Sequence, residues 1–409
     1  MAVAYARAML PLMATLLLAG MSMPARAEVS APGGAVAVEH PQVLRRWFTA
    51  LRKAATGQGV ARALHYGDST IASDGLARTV RARLVARFGD AGPGYVSAGF
   101  TPTWNERSDV ASTRGGDWSY RTLLFGGAQG RYGLGGIVGL VRSGASVRLH
   151  AVGADGQPVA QRHLELWYQA GQGYGALQVA IDGAQRPREE AAADHTQARR
   201  SVWDAPTPFT EVRLTATGGT VPLYGVVLET GAPGATWESL GVTGVGSKSF
   251  TTWAGPELAE ELALRDPDLL VVQLGGNEAG FPVLTVGDGA GYRPIFGDAL
   301  RLLRQGAPDA ACLVLSPLDQ GERDADTGVA RSRRGMPNLV AQQRAEALDQ
   351  GCAFWSSWQA MGGEGASVSW ASRRGLSAGD LVHLSPGGLA ILGDRLADAL
   401  LAAFDADPG

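Results

Sequence analysis

Hydrophobic residues recur every three to four positions near both ends of the chain, a spacing typical of helices that bury one face. Four such residues predict a helix over residues 41–56: Leu44, Trp47, Phe48 and Leu51. Similar spacing predicts further helices at 74–88, around 299–303, at 337–349 and from Pro386 onward. Short apolar runs between them predict buried strands at 62–66, 269–274, 311–316 and 352–355. This alternation predicts a doubly wound α/β domain with a parallel sheet.

From about residue 97 to residue 228 the hydrophobic period changes from helical spacing to two, which is typical of half-buried strands. The clearest runs lie at 147–150, 164–168, 177–181 and 212–214. Turn residues such as Asp182-Gly183 separate them. This segment therefore predicts a β-sandwich that interrupts the α/β domain. Within it, residues 186–199 are rich in Glu, Ala and Arg, and we expect an exposed loop or a short helix there.

The first 27 residues have the pattern of a secretory signal peptide. Arg7 precedes an apolar stretch from Leu10 to Met21, and Ala25-Arg26-Ala27 offers small residues at a cleavage site. A membrane anchor is disfavoured because this apolar stretch is shorter than the ~20 residues that a bilayer requires. We expect a periplasmic or secreted protein that begins after Ala27, with no membrane span.

These patterns give four segments: a signal peptide over 1–27, the first part of the α/β domain over 28–96, an inserted β-sandwich over 97–235 and the second part of the α/β domain over 236–409. The formal net charge is −3, and no basic block occurs, so nucleic-acid binding is disfavoured. The histidines of the insertion form no metal-like spacing, and we predict neither a metal nor a cofactor. The sequence leaves the oligomeric state open.

Cys312 and Cys352 are the two cysteines of the chain, and each opens a short apolar run. In a doubly wound sheet these runs would be successive parallel strands. Strands ~4.7–4.9 Å apart can accept a disulfide, which needs Cα atoms ~4.4–6.8 Å apart. A disulfide and two free buried thiols both remain open from the sequence.

Three short polar motifs stand where an open α/β sheet keeps its active site. Gly67-Asp68-Ser69 follows the first predicted strand, and Gly275-Gly276-Asn277 follows the strand at 269–274. Asp380 and His383 precede the last predicted helix. Taken singly, each motif has an ordinary structural explanation as a turn or a helix cap. Their order and their placement at strand ends indicate one hydrolytic site.

The three motifs together resemble those of the SGNH (GDSL-type) hydrolase superfamily. The stretches Leu64–Ser69, Arg87–Tyr95 and Gly276–Ala279 are similar to those of its peptidoglycan O-acetylesterase subfamily. That subfamily carries a sandwich resembling a carbohydrate-binding module between its first and second motifs, where this sequence has its β-rich insertion. The resemblance implies an SGNH-type (flavodoxin-like) three-layer α/β/α hydrolase domain interrupted by an inserted β-sandwich domain.

The resemblance also implies a catalytic triad. Ser69 would be the nucleophile, His383 the base, and Asp380 the group that orients the imidazole. His65 is a weaker candidate for the base, and its place in the first strand favours burial.

The same resemblance implies an oxyanion hole built from the Ser69 backbone N–H, a backbone N–H of Gly244 and the side-chain amide of Asn277. Gly241 is the alternative to Gly244, because Thr243 stands where the family more often has Asn. Asp68 is expected to support the turn that presents Ser69.

The motifs predict a serine esterase. The resemblance implies that it removes O-acetyl groups from a polysaccharide, so that its partner would be an acetylated glycan polymer, with peptidoglycan as the first choice. An O-acetyltransferase on the same fold and a non-catalytic glycan-binding envelope protein are the alternatives. The insertion is expected to face the glycan. Its candidate platforms are Trp104, Trp118, Trp167, Tyr174 and Trp203. The alternative for Trp167 and Trp118 is a place in the core of the sandwich, and this is the expectation for Trp167.

Overall fold

One parallel sheet and two larger antiparallel sheets organise this chain. The computed structural model describes residues 31–97, residue 105 and residues 107–409, and Ala31–Gly409 forms one unit. The predicted signal peptide and Trp104 lie outside the described residues.

The strands, in chain order, are β1 (Val60–Gly67), β2 (Gly94–Ser97), β3 (Val110–Gly115), β4 (Trp118–Thr122), β5 (Ile137–Val141), β6 (Ser146–Ala151), β7 (Gln161–Ala170), β8 (Ala176–Ile181), β9 (Ala184–Gln185), β10 (Glu189–Glu190), β11 (Gln197–Phe209), β12 (Val212–Thr217), β13 (Val221–Glu229), β14 (Gly234–Gly241), β15 (Leu269–Gln273), β16 (Ala311–Leu315), β17 (Gly321–Arg323), β18 (Ala330–Ser332) and β19 (Ala353–Trp355). The α-helices are α1 (Arg45–Ala55), α2 (Ser69–Ala72), α3 (Gly75–Phe88), α4 (Ser247–Phe250), α5 (Gly255–Arg265), α6 (Arg293–Gly306), α7 (Met336–Asp349), α8 (Ser357–Met361), α9 (Ala366–Ala371) and α10 (Pro386–Ala406).

The parallel sheet has the order β14-β1-β15-β16-β19, and every neighbouring pair is parallel. Renumbered by their place in the chain, its strands run 2-1-3-4-5, which is the flavodoxin-like order. The strand order reverses between β1 and β15, the two strands that precede Ser69 and Asn277. The topology thus brings these two motifs to the point where such sheets bind ligands.

Helices cover both faces of this sheet. On one face, α1, α3 and α10 bury residues such as Trp47, Leu84 and Leu396 against the strands. On the other face, α5, α6 and α7 bury Leu300 and Leu339. This three-layer arrangement confirms the predicted α/β/α fold.

The two larger antiparallel sheets form the inserted sandwich. One has the order β10-β8-β12-β6-β3, with β9 on β8; the other has the order β11-β7-β13-β5-β4, with β2 on β13. Leu166 and Tyr168 of β7 point into the core between the sheets. Trp167, between them, points the opposite way and joins a core shared with Tyr66 and the helices of the α/β layers. The sandwich therefore packs directly on the α/β part.

The structure of residues 186–199 differs from the predicted exposed loop or short helix. They include the short strand β10, which pairs with β8, and the start of β11, which pairs with β7 from Gln197 onward. The charged composition suits this place, because β10 and β11 are sheet edges and charged side chains protect an edge from pairing with another chain. The strand pairing is long-range, so the local sequence does not reveal it.

Cys312 and Cys352 form a disulfide with Cα atoms 4.7 Å apart. Cys312 lies in β16, and Cys352 immediately precedes β19, the neighbouring parallel strand. The bridge joins two adjacent elements on one face of the sheet.

Candidate active site

Ser69 is the first residue of α2 and follows directly on the end of β1. Asp68 caps the helix, because its Oδ1 accepts a hydrogen bond from the Thr70 N–H at 2.9 Å. The turn into the helix is tight, since a Cβ on Gly67 would lie 2.3 Å from Ile71 Cγ1. Glycine is therefore required before Asp68, and the turn presents Ser69 at the edge of the sheet.

The side chains of Ser69, His383 and Asp380 form a continuous hydrogen-bonded chain. Ser69 Oγ lies 3.1 Å from His383 Nε2, and His383 Nδ1 lies 2.6 Å from Asp380 Oδ2. The structure thus brings Ser69 to the Asp380–His383 motif, although Ser69 and His383 are 314 positions apart in the sequence. In this geometry the imidazole can accept the serine proton on one nitrogen while the carboxylate accepts a hydrogen bond from the other.

The loop from Asp380 to His383 is held by its own hydrogen bonds. Asp380 Oδ1 accepts from the backbone N–H groups of Val382 and His383 at 2.9 and 2.8 Å. Leu381 between them has a φ of 64°, a left-handed conformation that is strained for a bulky residue. Its side chain is buried and its carbonyl accepts a hydrogen bond from the Gly321 N–H at 2.7 Å. Such strain, held by surrounding contacts, is typical of functional loops.

The surroundings of Asp380 favour its ionised form. Partial burial alone would raise the pKa of Asp380, but hydrogen bonds from the His383 N–H, the His383 ring and the Val382 N–H outweigh burial and lower it. A carboxylate that accepts several hydrogen bonds favours its charged form. Asp380 is therefore suited to hold the imidazole in one tautomer.

Asp68 links the first motif to the second. Its buried side chain accepts a hydrogen bond from Thr70 and lies close to Gly276, and burial raises the pKa of Asp68 against the interactions that favour its charged form. A Cβ on Gly276 would lie 2.9 Å from Asp68 Oδ2, so glycine permits this close approach. Asp68 thus supports the turn, as its place before Ser69 predicted.

Asn277 and Gly244 meet at one turn. Asn277 Nδ2 donates to the backbone carbonyl of Val245 at 2.8 Å, while the side chain remains exposed. Gly244 has a φ of 84°, and its neighbour Val242 donates its N–H to the Gly67 carbonyl at 2.9 Å. The structure therefore ties this turn to both the first and the second motifs.

Gly241 has a different role from Gly244. It is buried, and a Cβ there would lie 2.1 Å from the Ala72 backbone nitrogen of α2. Gly241 thus allows β14 to pack against the helix that begins with Ser69. Gly244, by contrast, is half-buried.

Glu278 stabilises the second motif through contacts with distant parts of the chain. Its buried carboxylate accepts from the Ser247 N–H at 2.7 Å, the Ser247 hydroxyl at 3.1 Å and the Tyr292 hydroxyl at 3.0 Å. Burial raises the pKa of Glu278 in spite of these bonds. Local sequence does not single out Ser247 or Tyr292, because their contacts join distant segments. Glu278 positions Asn277 by fixing the chain that follows it.

A cavity of about 400 Å³ opens beside Ser69 and His383. Its other walls come from the start of α3, the insertion and the start of α10, with lining residues that include Arg78, Ser108 and Leu389. Gly244 and Asn277 do not line this cavity. The His383 side chain is 48% exposed, so solvent reaches the imidazole. Arg78 and Ser108 were not among the predicted site residues, since nothing in their local sequence distinguishes them.

The remaining histidine candidates have structural surroundings. His65 is fully buried, accepts from Trp237 Nε1 at 3.2 Å, and burial lowers the pKa of His65 to about 3. His163 lies 2.7 Å from Asp204 and 3.0 Å from Glu165 on the sandwich. In the part of the chain that the structure describes, no group of three or more His, Cys, Asp or Glu side chains could hold a metal ion.

The aromatic side chains predicted as glycan platforms differ in their burial. Trp167 is buried, but it lies in the core shared by the sandwich and the α/β layers and not in the core between the two sandwich sheets, where it was predicted. Trp118, Tyr174 and Trp203 are half-buried and pack against the sandwich core. Across residues 31–97, 105 and 107–409, no helix has the length and apolar character needed to cross a bilayer.

Comparisons with known proteins identify the fold. No protein-family model matches the sequence, and the curated proteins contain no match. A solved structure described as "Peptidoglycan O-acetylesterase in action, 5 min" aligns with a TM-score of 0.74 and 24% identity, covering 88% of this chain and 97% of that chain. An alignment of this extent includes both the α/β layers and the inserted sheets. The resemblance predicted from the motifs is confirmed at the level of the fold.

Two other solved structures align less well. A family two carbohydrate esterase from Clostridium thermocellum covers 68% of this chain and 97% of that chain at 12% identity, with a TM-score of 0.29. A salicylyl-acyltransferase from a tetracycline biosynthetic pathway covers 74% of this chain and 99% of that chain at 14% identity, also with a TM-score of 0.29. At these TM-scores neither superposition supports an argument.

Proposed function

We propose that this protein is a secreted serine esterase that removes O-acetyl groups from a polysaccharide, and that its substrate is O-acetylated peptidoglycan. The observation that carries the proposal is the hydrogen-bonded chain Ser69–His383–Asp380, with distances of 3.1 and 2.6 Å, beside an open cavity. The similarity in fold to a structure described as a peptidoglycan O-acetylesterase supports the choice of substrate.

In the proposed reaction, His383 Nε2 takes the proton of Ser69 Oγ as the oxygen attacks the acetyl carbonyl carbon. The carbonyl oxygen becomes an oxyanion, which the backbone N–H groups of Ser69 and Gly244 and the amide of Asn277 would stabilise. The C–O bond to the sugar then breaks, and His383 returns the proton to the departing sugar hydroxyl. Water, activated by the same imidazole, hydrolyses the acetyl-serine and releases acetate.

Solvent access favours hydrolysis over acetyl transfer. The His383 side chain is about half exposed, and water can approach the acetyl-serine from the same side. An acetyltransferase would need to keep water away from that intermediate. Adding a de-acetylated glycan acceptor during turnover distinguishes the two reactions. Acetyl groups recovered on the acceptor in place of free acetate would indicate a transferase.

The proposed location outside the cytoplasm is supported by the Cys312–Cys352 disulfide, since such bonds persist mainly in oxidising compartments. Fractionation of expressing cells, with mass spectrometry of the mature N-terminus, tests this location. A start at Glu28 is expected, and a cytoplasmic protein that retains residues 1–27 would contradict it.

The decisive experiment measures acetate release from O-acetylated peptidoglycan, from the same material after chemical de-acetylation, and from acetylated xylan. Wild type is compared with Ser69→Ala and with Ser372→Ala, an exposed serine remote from the cavity. Loss of release in Ser69→Ala alone, with peptidoglycan preferred over xylan, is expected. Equal rates for wild type and Ser69→Ala would exclude a serine esterase, and a preference for xylan would change the substrate.

A further inference from the structure

The cavity beside Ser69 continues into a second one. Arg78 and Ser108 line both the cavity of about 400 Å³ at the candidate triad and a neighbouring cavity of about 730 Å³. The second cavity lies between α3 and the segment from Ala151 to Gln161 of the inserted sandwich. One groove thus runs from the nucleophile to the insertion, and Arg78 stands where its two parts join.

Arginines line this groove, and most are neutralised by carboxylates. The paired arginines and their partners are Arg81 with Asp74 and Asp109, Arg83 with Asp394 and Asp398, and Arg107 with Asp109. Arg78 is exposed and forms no ion pair with any residue that the structure describes. Arg78 thus leaves a guanidinium without an ion-pair partner, among the described residues, where the two cavities join, and the unpaired carboxylate of Asp90 also lines the second cavity.

The nearest carboxylate in sequence, Asp74, is already engaged. Its oxygens accept from the Ser108 N–H at 2.8 Å, the Ser108 hydroxyl at 2.7 Å and Arg81 at 2.7 Å. Asp74 immediately precedes α3 without a side-chain hydrogen bond to the helix, and Arg78 lies in the first turns of this 14-residue helix. With Asp74 engaged in this way, the guanidinium of Arg78 stays available to an anion in the groove.

A guanidinium group has the planar geometry that matches a carboxylate with two parallel hydrogen bonds. We propose that Arg78 binds a carboxylate on the glycan, so that this esterase selects an acetylated amino sugar whose substituent is anionic. This inference rests on the proposed esterase function and specifies its substrate class. In peptidoglycan, the lactyl group of muramic acid or the peptide attached to it supplies such a carboxylate.

The test uses soluble O-acetylated muropeptides with free carboxylates and the same preparation after amidation with ammonia and a carbodiimide. Acetate release gives KM and kcat for wild type, Arg78→Gln, Arg78→Lys and Arg213→Gln, the last being an exposed arginine on β12 outside the groove. Amidation should raise the wild-type KM about tenfold, equivalent to about 1.4 kcal/mol. Arg78→Gln should lose this preference, Arg78→Lys should keep part of it, and Arg213→Gln should keep all of it.

The outcome is decided by the ratio of the KM values for the amidated and the untreated muropeptides, and not by the absolute rate. A misfolded variant therefore cannot imitate the expected result. Equal KM values for the two preparations in wild type, or an undiminished preference in Arg78→Gln, would overturn the proposal. The acetate-release rate of each enzyme variant is divided by the rate at which the same variant hydrolyses p-nitrophenyl acetate.

A second measurement separates this inference from the proposed function. If wild type hydrolyses p-nitrophenyl acetate but releases acetate from neither muropeptide preparation, the proposed substrate is wrong. Inhibition of p-nitrophenyl acetate hydrolysis by N-acetylmuramic acid and by neutral N-acetylglucosamine then tests Arg78 alone. Stronger inhibition by the carboxylated sugar in wild type, lost in Arg78→Gln, supports the carboxylate site; equal inhibition by both sugars overturns it.

Discussion

The Asn277 amide donates a hydrogen bond to the carbonyl of Val245 at 2.8 Å. This contact joins the turn after β15 to the turn that contains Gly244, and so fixes the relative positions of two groups proposed to bind the oxyanion. An amide nitrogen carries two hydrogens. One is used to orient the side chain, and the other remains for the substrate.

Replacing Asn277 with alanine should reduce kcat by ~10²–10³ with a much smaller change in KM, because the amide would act where charge develops in the transition state. Steady-state kinetics on p-nitrophenyl acetate measure both values. Asn338→Ala is the matched control, since the Asn338 amide bonds to the carbonyls of Leu284 and Gly287 in a neighbouring loop. A variant of Asn277 that keeps kcat but raises KM would place the amide outside the oxyanion hole.

Glu261 is expected to make stability fall as pH rises. It is fully buried, both side-chain oxygens lack a hydrogen-bond partner in the described part of the chain, and burial raises the pKa of Glu261 well above its usual value. Above pH ~4.5 the unfolded chain releases this proton while the folded protein keeps it, so the free energy of unfolding falls by up to about 1.4 kcal/mol per pH unit. That loss continues until the pH reaches the raised pKa of the folded state.

Glu261→Gln removes this ionisation, so its stability relative to wild type should improve steadily from pH 4 to pH 8. Denaturant unfolding at several pH values measures the difference. Glu364→Gln, at an exposed glutamate outside α5, should show no such trend. A difference between Glu261→Gln and wild type that does not vary with pH would contradict a buried, protonated Glu261.

The disulfide between Cys312 and Cys352 closes a loop with a sequence separation of 40. In the chain-entropy account, a cross-link of this length stabilises the folded state by about 4 kcal/mol. Reduction should therefore lower the midpoint of denaturant unfolding, and thiol titration should find two thiols only after reduction. The Cys312→Ala/Cys352→Ala double variant should match the reduced protein and be insensitive to reductant. An oxidised protein with two titratable thiols would contradict the bridge.

The sandwich and the α/β layers are expected to unfold together. Trp167 is buried in their shared core, and the Tyr224 hydroxyl of β13 donates to Glu257 of α5 at 2.8 Å. Trp167→Ala should destabilise the protein by about 3–5 kcal/mol, a typical cost for a buried tryptophan. Trp203→Ala, at a half-buried site on the edge strand β11, should cost less.

Calorimetry of both tryptophan variants should show one transition that shifts as a whole. Two transitions, with only one sensitive to Trp167→Ala, would mean that the insertion folds independently. In that case, replacing residues 97–235 with a short linker would leave an α/β domain that still hydrolyses p-nitrophenyl acetate. The shared core makes that outcome unexpected.

The sequence by itself determined the elements and the motifs that carry chemistry. Helical spacing around Trp47 and Leu51 and the apolar run at 269–274 reflect local burial, and they correspond to α1 and β15. The glycines at positions 67 and 276 can also be read from the sequence, because a close approach of other atoms to the backbone leaves room for glycine alone.

Only the tertiary structure decided which distant groups meet. The pairing of β10 and β11, the disulfide and the contact of Trp167 with the α/β layers all depend on long-range packing. Arg78 is one of many arginines in the sequence, and it becomes distinctive only because the other arginines of the groove are paired with carboxylates. Periodicity records whether a residue is buried, whereas the identity of its neighbours is fixed by the assembly of elements far apart in the chain.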